Sequence, residues 1–290
     1  MSRKLKIFLE MIKFEHTLFA MPFAFMGAIL GSIVVADKLP SWEQIGWVTL
    51  AMVGARSAAM GLNRLIDKVF DGKNPRTAMR ALPAGLLTSM EVVLFVAVSM
   101  LILFFAAFRL SDLAVKLLPV AVFFLVFYSY TKRFTWLCHL ILGLTIGLAP
   151  LGGWVAVTGE FSWIALIFYI SVAFWTAGFD IIYACQDMEF DRSEGLHSIP
   201  ERFGLSKSLW IAKGFHLITA IGFISMMIMT DLSWFYLIGI VIGITLLYYE
   251  HSLVKPHDLS KINIAFFMMN GIFSSVVFIF TLIDVVVLYG

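Results

Sequence analysis

The chain has 290 residues, 61% hydrophobic and 14% charged, with a net charge of +2. A soluble domain carries about 45 to 50% apolar residues, so this chain holds more apolar surface than its own interior can hide, and a lipid bilayer is its expected surroundings. The basic residues fall between apolar runs and form no single positive face, which argues against nucleic acid as a partner; Cys138 and Cys185 lack metal-ligand spacing and suggest no disulfide framework.

At the N-terminus, Leu5, Phe8, Leu9 and Ile12 recur at helical spacing between lysines, the pattern of a short helix lying on a membrane surface, and no cleavable leader is visible. Nine apolar segments of roughly spanning length follow: 18–35, 45–62, 92–108, 113–130, 137–157, 164–184, 209–229, 232–249 and 262–282. Only Arg109-Leu110-Ser111-Asp112 separates the third from the fourth. No linker or low-complexity stretch marks a second domain, so residues 1–290 are expected to form one membrane domain.

Basic residues collect in alternate loops. Seventeen of the 21 lie before the first span, in the second, fourth, sixth and eighth loops, or, as Lys213 does, at the start of the span that follows the sixth loop, from Arg3, Lys4, Lys6 and Lys13 to Lys255 and Lys261. Short cytoplasmic loops gather Lys and Arg, so the N-terminus is expected in the cytoplasm and the C-terminus outside, consistent with a bacterial inner membrane.

Two of these basic loops begin with acidic residues. In "NRLIDKVFDGKNPRTAMRALPAG", Asn63, Asp67 and Asp71 are spaced four apart and drift only about 80° around a helix, with Arg56 two turns deeper on the same face. Carboxylates and an amide are hard oxygen ligands suited to Mg²⁺ when substrate phosphates complete its shell, and Arg76 and Arg80 can bind diphosphate oxygens. In "DIIYACQDMEFDRSEG", Asp180, Asp187 and Asp191 again share a narrow wedge. Asp180 stands within the apolar run, where a carboxylate is costly and marks function. Either loop alone also reads as ordinary interfacial charge; the repetition on one side of the membrane favours a site for a highly charged anion.

These motifs resemble those of the UbiA superfamily of membrane prenyltransferases, N-x-x-x-D-x-x-x-D and D-x-x-Y-A-x-x-D-x-x-x-D. The resemblance extends to "NPRTAMRALPAG", "YSYTKR" from Tyr128, "GLAPLGGWVA" from Gly147 and "GLHSIPERFG" from Gly195. It implies an all-α bundle of nine transmembrane helices around a cavity opening sideways to lipid. It further implies Mg²⁺-dependent transfer of a prenyl group from a polyprenyl diphosphate to an aromatic acid in quinone synthesis, with 4-hydroxybenzoate or a dihydroxynaphthoate as acceptor. By the same resemblance Asn63, Asp67, Asp71, Asp187 and Asp191 hold the metal. Arg76, Arg80, Tyr128 and Lys132 meet the diphosphate, Tyr183 and Ser198 belong to the substrate site, and Arg56 faces the acceptor. Asp180 is a candidate proton acceptor. Asn63 is followed by Arg64, where the 4-hydroxybenzoate enzymes often carry Asp, which leaves the acceptor open.

Single residues elsewhere read as packing. His139 is expected to be an interfacial histidine, His251 and His257 to lack companion ligands, and Cys185 to point off the acidic face. A secondary transporter would instead carry its charges near the bilayer midplane in paired broken helices; only Arg56 and Asp180 reach inward.

The expected topology is checked with single cysteines at Lys73 and Gly159 in a chain lacking its native cysteines. An impermeant thiol reagent applied to intact cells should label position 159 and spare 73; labelling of 73 would overturn the orientation.

Overall fold

The computed structural model describes residues 3–12 and 17–289; Lys13, counted above among the basic residues, lies outside them. Within them the chain is helical, with a lone bridge between Lys255 and Asp258. In chain order the helices are α1 (Arg3–Met11), α2 (Thr17–Ala36), α3 (Trp42–Ile66), α4 (Lys68–Lys73), α5 (Ser89–Leu110) and α6 (Asp112–Phe127). After a 3₁₀ segment, Tyr128–Arg133, come α7 (Cys138–Thr158) and α8 (Trp163–Ala184). A 3₁₀ turn, Cys185–Asp187, leads to α9 (Met188–Ser193), α10 (Ile199–Met229) and α11 (Trp234–Leu253), and a π-turn, Ile264–Met269, opens α12 (Asn270–Tyr289).

Among the described residues eight helical stretches are long and apolar enough to cross a bilayer, and Ala20–Ala36 within α2 is a shorter apolar helix. Each expected apolar segment falls on a helix, and eight of the nine reach spanning length. The close pair is divided at Ser111, whose extended backbone (φ −148°, ψ 153°) ends α5 and whose hydroxyl caps α6 by accepting from Ala114 N at 3.1 Å. Trp42, Trp163 and Trp234, the first residues of α3, α8 and α11, are largely exposed, as tryptophans at a membrane interface are. The N-terminal helix α1 lies against the bundle, with Met11 and Ile12 buried beside Leu82, Leu87 and Val92, and Lys4 pairs with Glu91 at 2.5 Å.

Helix contacts form two closed rings that share α2 and α7. One runs α2, α7, α8, α10, α11, α12 and back to α2; the other runs α2, α3, α5, α6 and α7. Large side chains fill the first ring: Phe23, Trp154, Phe168, Trp175, Phe223, Tyr236 and Phe273 are all buried there, several edge to face. Small ones line the second. Ala24, Ala51, Ala55, Ala107, Ala149 and Gly152 leave an apolar cavity of about 280 Å³. Fill in one ring and hollow in the other thus follow from side-chain volume.

Glycines set the closest crossings. A Cβ on Gly153 would collide with the Ala24 carbonyl of α2, whereas Gly152 has open space beside it, so the Gly152-Gly153 pair serves helix contact through its second member. At the α3–α5 crossing a Cβ on Gly54 would stand 2.8 Å from Ser99 O and 2.7 Å from Leu103 N, backbone atoms that cannot swing aside. Gly54→Val should therefore destabilise the purified protein by about 1 to 3 kcal/mol, the usual cost of overpacking. Gly46→Val, with nothing within 4 Å, is the control. Thermal unfolding in detergent checks this; equal melting of the two variants would contradict the close packing of α3 on α5.

Candidate active site

The two acidic motifs are built alike. Helix α3 ends at Asp67, whose backbone (φ −92°, ψ 5°) leaves the helical region before six-residue α4 begins; α8 and its 3₁₀ turn end at Asp187 (φ −97°, ψ 1°) before six-residue α9. Each short helix then carries a buried aspartate four residues on, Asp71 or Asp191. Lys73 of α4 reaches Glu194 after α9 at 2.6 Å and ties the two short helices together. The echo seen in the sequence is thus a repeated device: a long helix, a break at one aspartate, and a short helix that turns a second aspartate inward.

Between them lies a polar cavity of about 350 Å³. Asn63, Asp67, Asp71, Arg76, Arg80, Tyr128, Lys132, Asp180, Tyr183, Asp187 and Asp191 all line it, with Arg56 at its inner end. Of the residues singled out in the sequence only Ser198 is not among them. Its side chain is buried and accepts from Glu201 N at 3.2 Å, so it caps α10 and offers no surface to a substrate.

Carboxylates buried at the end of an apolar bundle need compensation, and each finds a cation. Arg76 grips Asp187 with two nitrogens (3.0 and 2.6 Å) and also donates to the Tyr183 hydroxyl at 3.2 Å. Arg80 bonds Asp71 at 2.7 Å, Lys132 bonds both oxygens of Asp191 at 3.1 and 3.2 Å, and Arg133 reaches Asp67 at 3.3 Å. Asn63 donates to Asp67 at 2.7 Å and Asn74 to Asp187 at 3.3 Å. Burial, and next the Asp71 carboxylate, push the Asp67 carboxyl above the ordinary range, while Arg133 draws it back in part. Among the described residues buried Asp71 Oδ2 has no hydrogen-bond partner, although Arg64 NH1 lies 3.7 Å from that oxygen.

Arg56 differs from these. Among the described residues it makes no ion pair, and its Nε is buried without a hydrogen-bond partner. Arg56, Met60, Tyr128, Leu142 and Ile146 line both cavities, so the unpaired guanidinium stands where the polar compartment meets the apolar one. Asp180, the carboxylate that could have neutralised it, is bonded instead to His139 Nδ1 at 2.6 Å.

His139, expected from the sequence only as an interfacial histidine, is thus partnered by a carboxylate. It is buried at the start of α7, and the clue lay in Asp180, since a carboxylate inside an apolar run demands a partner at its own depth. His251 likewise has a companion: its Nε2 meets His216 Nδ1 at 3.0 Å. Cys185 packs as expected, buried with its thiol toward Ile181 O. Sequence reasoning passed over Asn74, Arg133, Phe266 and Phe267, which also line the polar cavity.

Hollow apolar ring, charged cavity and helices of spanning length define a multi-pass integral membrane protein with a polar chamber adjoining an apolar one. The chain belongs to the UbiA prenyltransferase family, whose match covers residues 21–272, and it is a membrane prenyltransferase. It is 31% identical over 257 residues to a 4-hydroxybenzoate octaprenyltransferase of Aromatoleum aromaticum, covering 87% of this chain and 85% of that one. Among solved structures, the apo form of a UbiA homolog from Aeropyrum pernix K1 superposes with a TM-score of 0.84 at 29% identity, over 93% of this chain and 98% of the other. A UbiA homolog from Archaeoglobus fulgidus bound to DMAPP and Mg²⁺ shares the fold with a TM-score of 0.75 at 18% identity, over 97% and 99% of the two chains.

Asp187→Asn keeps the shape of the side chain but removes half of a bidentate charge pair. Prenyl-transfer turnover is expected to fall by about 100-fold or more, the scale of losing one electrostatic contact in a preorganised site, while elution in detergent stays that of the wild type. Turnover near the wild-type rate would contradict a role for Asp187 in the chemistry.

Proposed function

We propose that this protein transfers a polyprenyl group from a polyprenyl diphosphate to an aromatic acid of the 4-hydroxybenzoate type, with Mg²⁺, in the synthesis of a respiratory quinone. The observation that carries the acceptor class is the unpaired Arg56 at the junction of the two compartments. A buried guanidinium is costly without an anion, and its planar fork matches a carboxylate with two hydrogen bonds. Names of relatives such as the Aromatoleum aromaticum enzyme support the same class. We further place the charged cavity and the N-terminus on the cytoplasmic side, from the loop charges.

The donor set suits a metal shared with phosphate. Among the described residues no three His, Cys, Asp or Glu groups converge as a ready-made metal site. One or two carboxylates from each motif, with diphosphate oxygens completing the shell, is the arrangement Mg²⁺ favours, and Asp71 Oδ2 retains free acceptor capacity. Asp67 and Asp71 on one side and Asp187 and Asp191 on the other would hold it, with Asn63 beside them. Bound there, the metal supplies positive charge to the departing diphosphate.

The protein's own residues do the rest. In this reading Arg76, Arg80 and Lys132 exchange their carboxylate partners for diphosphate oxygens and stabilise the charge that develops as the allylic C–O bond breaks and its electron pair leaves with the diphosphate. The prenyl chain lies along the alanine-lined hollow of the second ring, in continuity with lipid. Arg56 anchors the acceptor carboxylate so that the ring faces the cation; an aromatic carbon forms the new C–C bond. Asp180 takes the ring or hydroxyl proton, its charge steadied by His139.

Labelled polyprenyl diphosphate and a panel containing 4-hydroxybenzoate, a dihydroxynaphthoate and a simple phenol test this. Arg56→Ala should raise the KM of the acids by about 10- to 100-fold, the worth of hydrogen bonds to a charged group. The KM of the diphosphate and the slow reaction of the phenol should be nearly unchanged. An equal loss for the diphosphate and the acids would remove Arg56 from the acceptor site.

A further inference from the structure

The π-turn at Ile264–Met269 has no part in the acidic motifs, yet it places Phe266 and Phe267 on the wall of the polar cavity. Phe266 stacks on Tyr183 with ring centroids 4.0 Å apart and an interplanar angle of 28°, and meets Phe179 edge on at 5.2 Å. Phe267 meets Tyr183 edge on at 5.8 Å. The Tyr183 hydroxyl receives a hydrogen bond from the Arg76 that grips Asp187. The aromatic wall therefore adjoins the place proposed for the departing diphosphate.

Behind this wall, fully buried, sit Asn270 and Glu250. Asn270 Nδ2 donates to Glu250 Oε1 at 2.9 Å and to the carbonyls of Ala265 and Phe266, both at 3.1 Å. All three partners are acceptors, which fixes the orientation of the amide. Two of them are carbonyls of the π-turn itself, and such turns recur at functional sites because they re-aim side chains. Glu250 Oε2 lies 3.9 Å from His216 Nδ1, and His216 Nε2 meets the carbonyl of Trp175, another residue lining the cavity. A buried carboxylate and amide are costly in a membrane helix bundle, and nothing in the proposed chemistry uses them directly.

We infer that Asn270 and Glu250 are positioning residues that clasp the π-turn and hold the Phe266, Phe267 and Tyr183 rings against the allylic cation. This inference rests on the prenyl-transfer reading. The ring faces attract a cation and exclude water from it. With the wall held, the cation is captured by the aromatic acceptor, a C–C bond forms and the ring loses a proton. With the wall loosened, water adds to the cation and loses a proton, giving the free allylic alcohol from the same diphosphate ionisation.

The test measures three outputs from labelled prenyl diphosphate and acceptor: diphosphate released, prenylated acceptor and prenyl alcohol. Asn270→Leu and Phe266→Leu should raise the ratio of alcohol to prenylated acceptor by about tenfold or more, each product being counted against the diphosphate released, so that any slowing of ionisation itself cancels from the ratio. Glu250→Gln, which keeps the acceptor facing Asn270 Nδ2, should keep the wild-type ratio, whereas Glu250→Leu should not. A proportional fall of both products at unchanged ratio in Asn270→Leu would make the clasp merely structural and overturn the inference. Phe266→Leu leaves the clasp intact and decides the matter if Asn270→Leu is not recovered folded: an unchanged ratio there overturns it equally. A wild type that prenylates none of the aromatic acids would instead overturn the proposed function.

Discussion

Asp67, Asp71, Asp187 and Asp191 converge on one end of an apolar bundle, and their mutual repulsion is what the surrounding structure is arranged to offset. Their compensation comes from Arg133, Arg80, Arg76 and Lys132, carried on the loop after α4 and on the 3₁₀ segment after α6. Three of the pairs join distant parts of the chain at the rim: Arg76 links the first motif loop to the second motif, Lys132 links the 3₁₀ segment to α9, and Arg133 links that segment to the end of α3, whereas Arg80 and Asp71 pair within the first motif and its loop. The charges that make the site thus also close it. In the proposed reading these pairs are exchangeable, because a diphosphate would offer the cations oxygens and a divalent metal would offer the carboxylates a cation, leaving no buried charge alone.

Arg56 gives the second constraint its meaning. It stands deeper than those pairs, at the meeting point of the charged cavity and the alanine-lined hollow, and has no anion of its own among the described residues. The filled ring of aromatic side chains around α8 and α10 provides a rigid backing, and the hollow ring around α3, α5 and α6 provides space. One backs the chemistry proposed for the rim; the other is where the proposed reading lays the apolar prenyl chain.

Much of this was legible in the sequence because its signals are local. Apolar segments follow from run length, and the meeting of Asn63 with Asp67 follows from helical spacing. The break at Asp67 and Asp187 was not legible: both residues read as continuing a helix, and their backbones leave it. Partnerships across the fold were hidden too. His139 and Asp180 are 41 residues apart and meet only because α7 packs on α8, and Asn270 finds Glu250 across the α11–α12 contact. Ser198 lies in a motif of the resemblance, and the contact it makes in the fold is a helix cap, a local role that the motif did not announce.

The exchange of partners at the rim is the centre of the account, and ligand binding without turnover tests it most directly. Purified protein would be titrated by calorimetry with a non-ionisable prenyl thiolodiphosphate, once in Mg²⁺ and once in chelator. The account predicts saturable binding in Mg²⁺ that weakens by about tenfold or more in chelator, because repulsion from the four rim carboxylates is then uncompensated. Equal affinity in the two conditions would contradict it and would mean that the arginines and lysine hold the diphosphate without involving the aspartates.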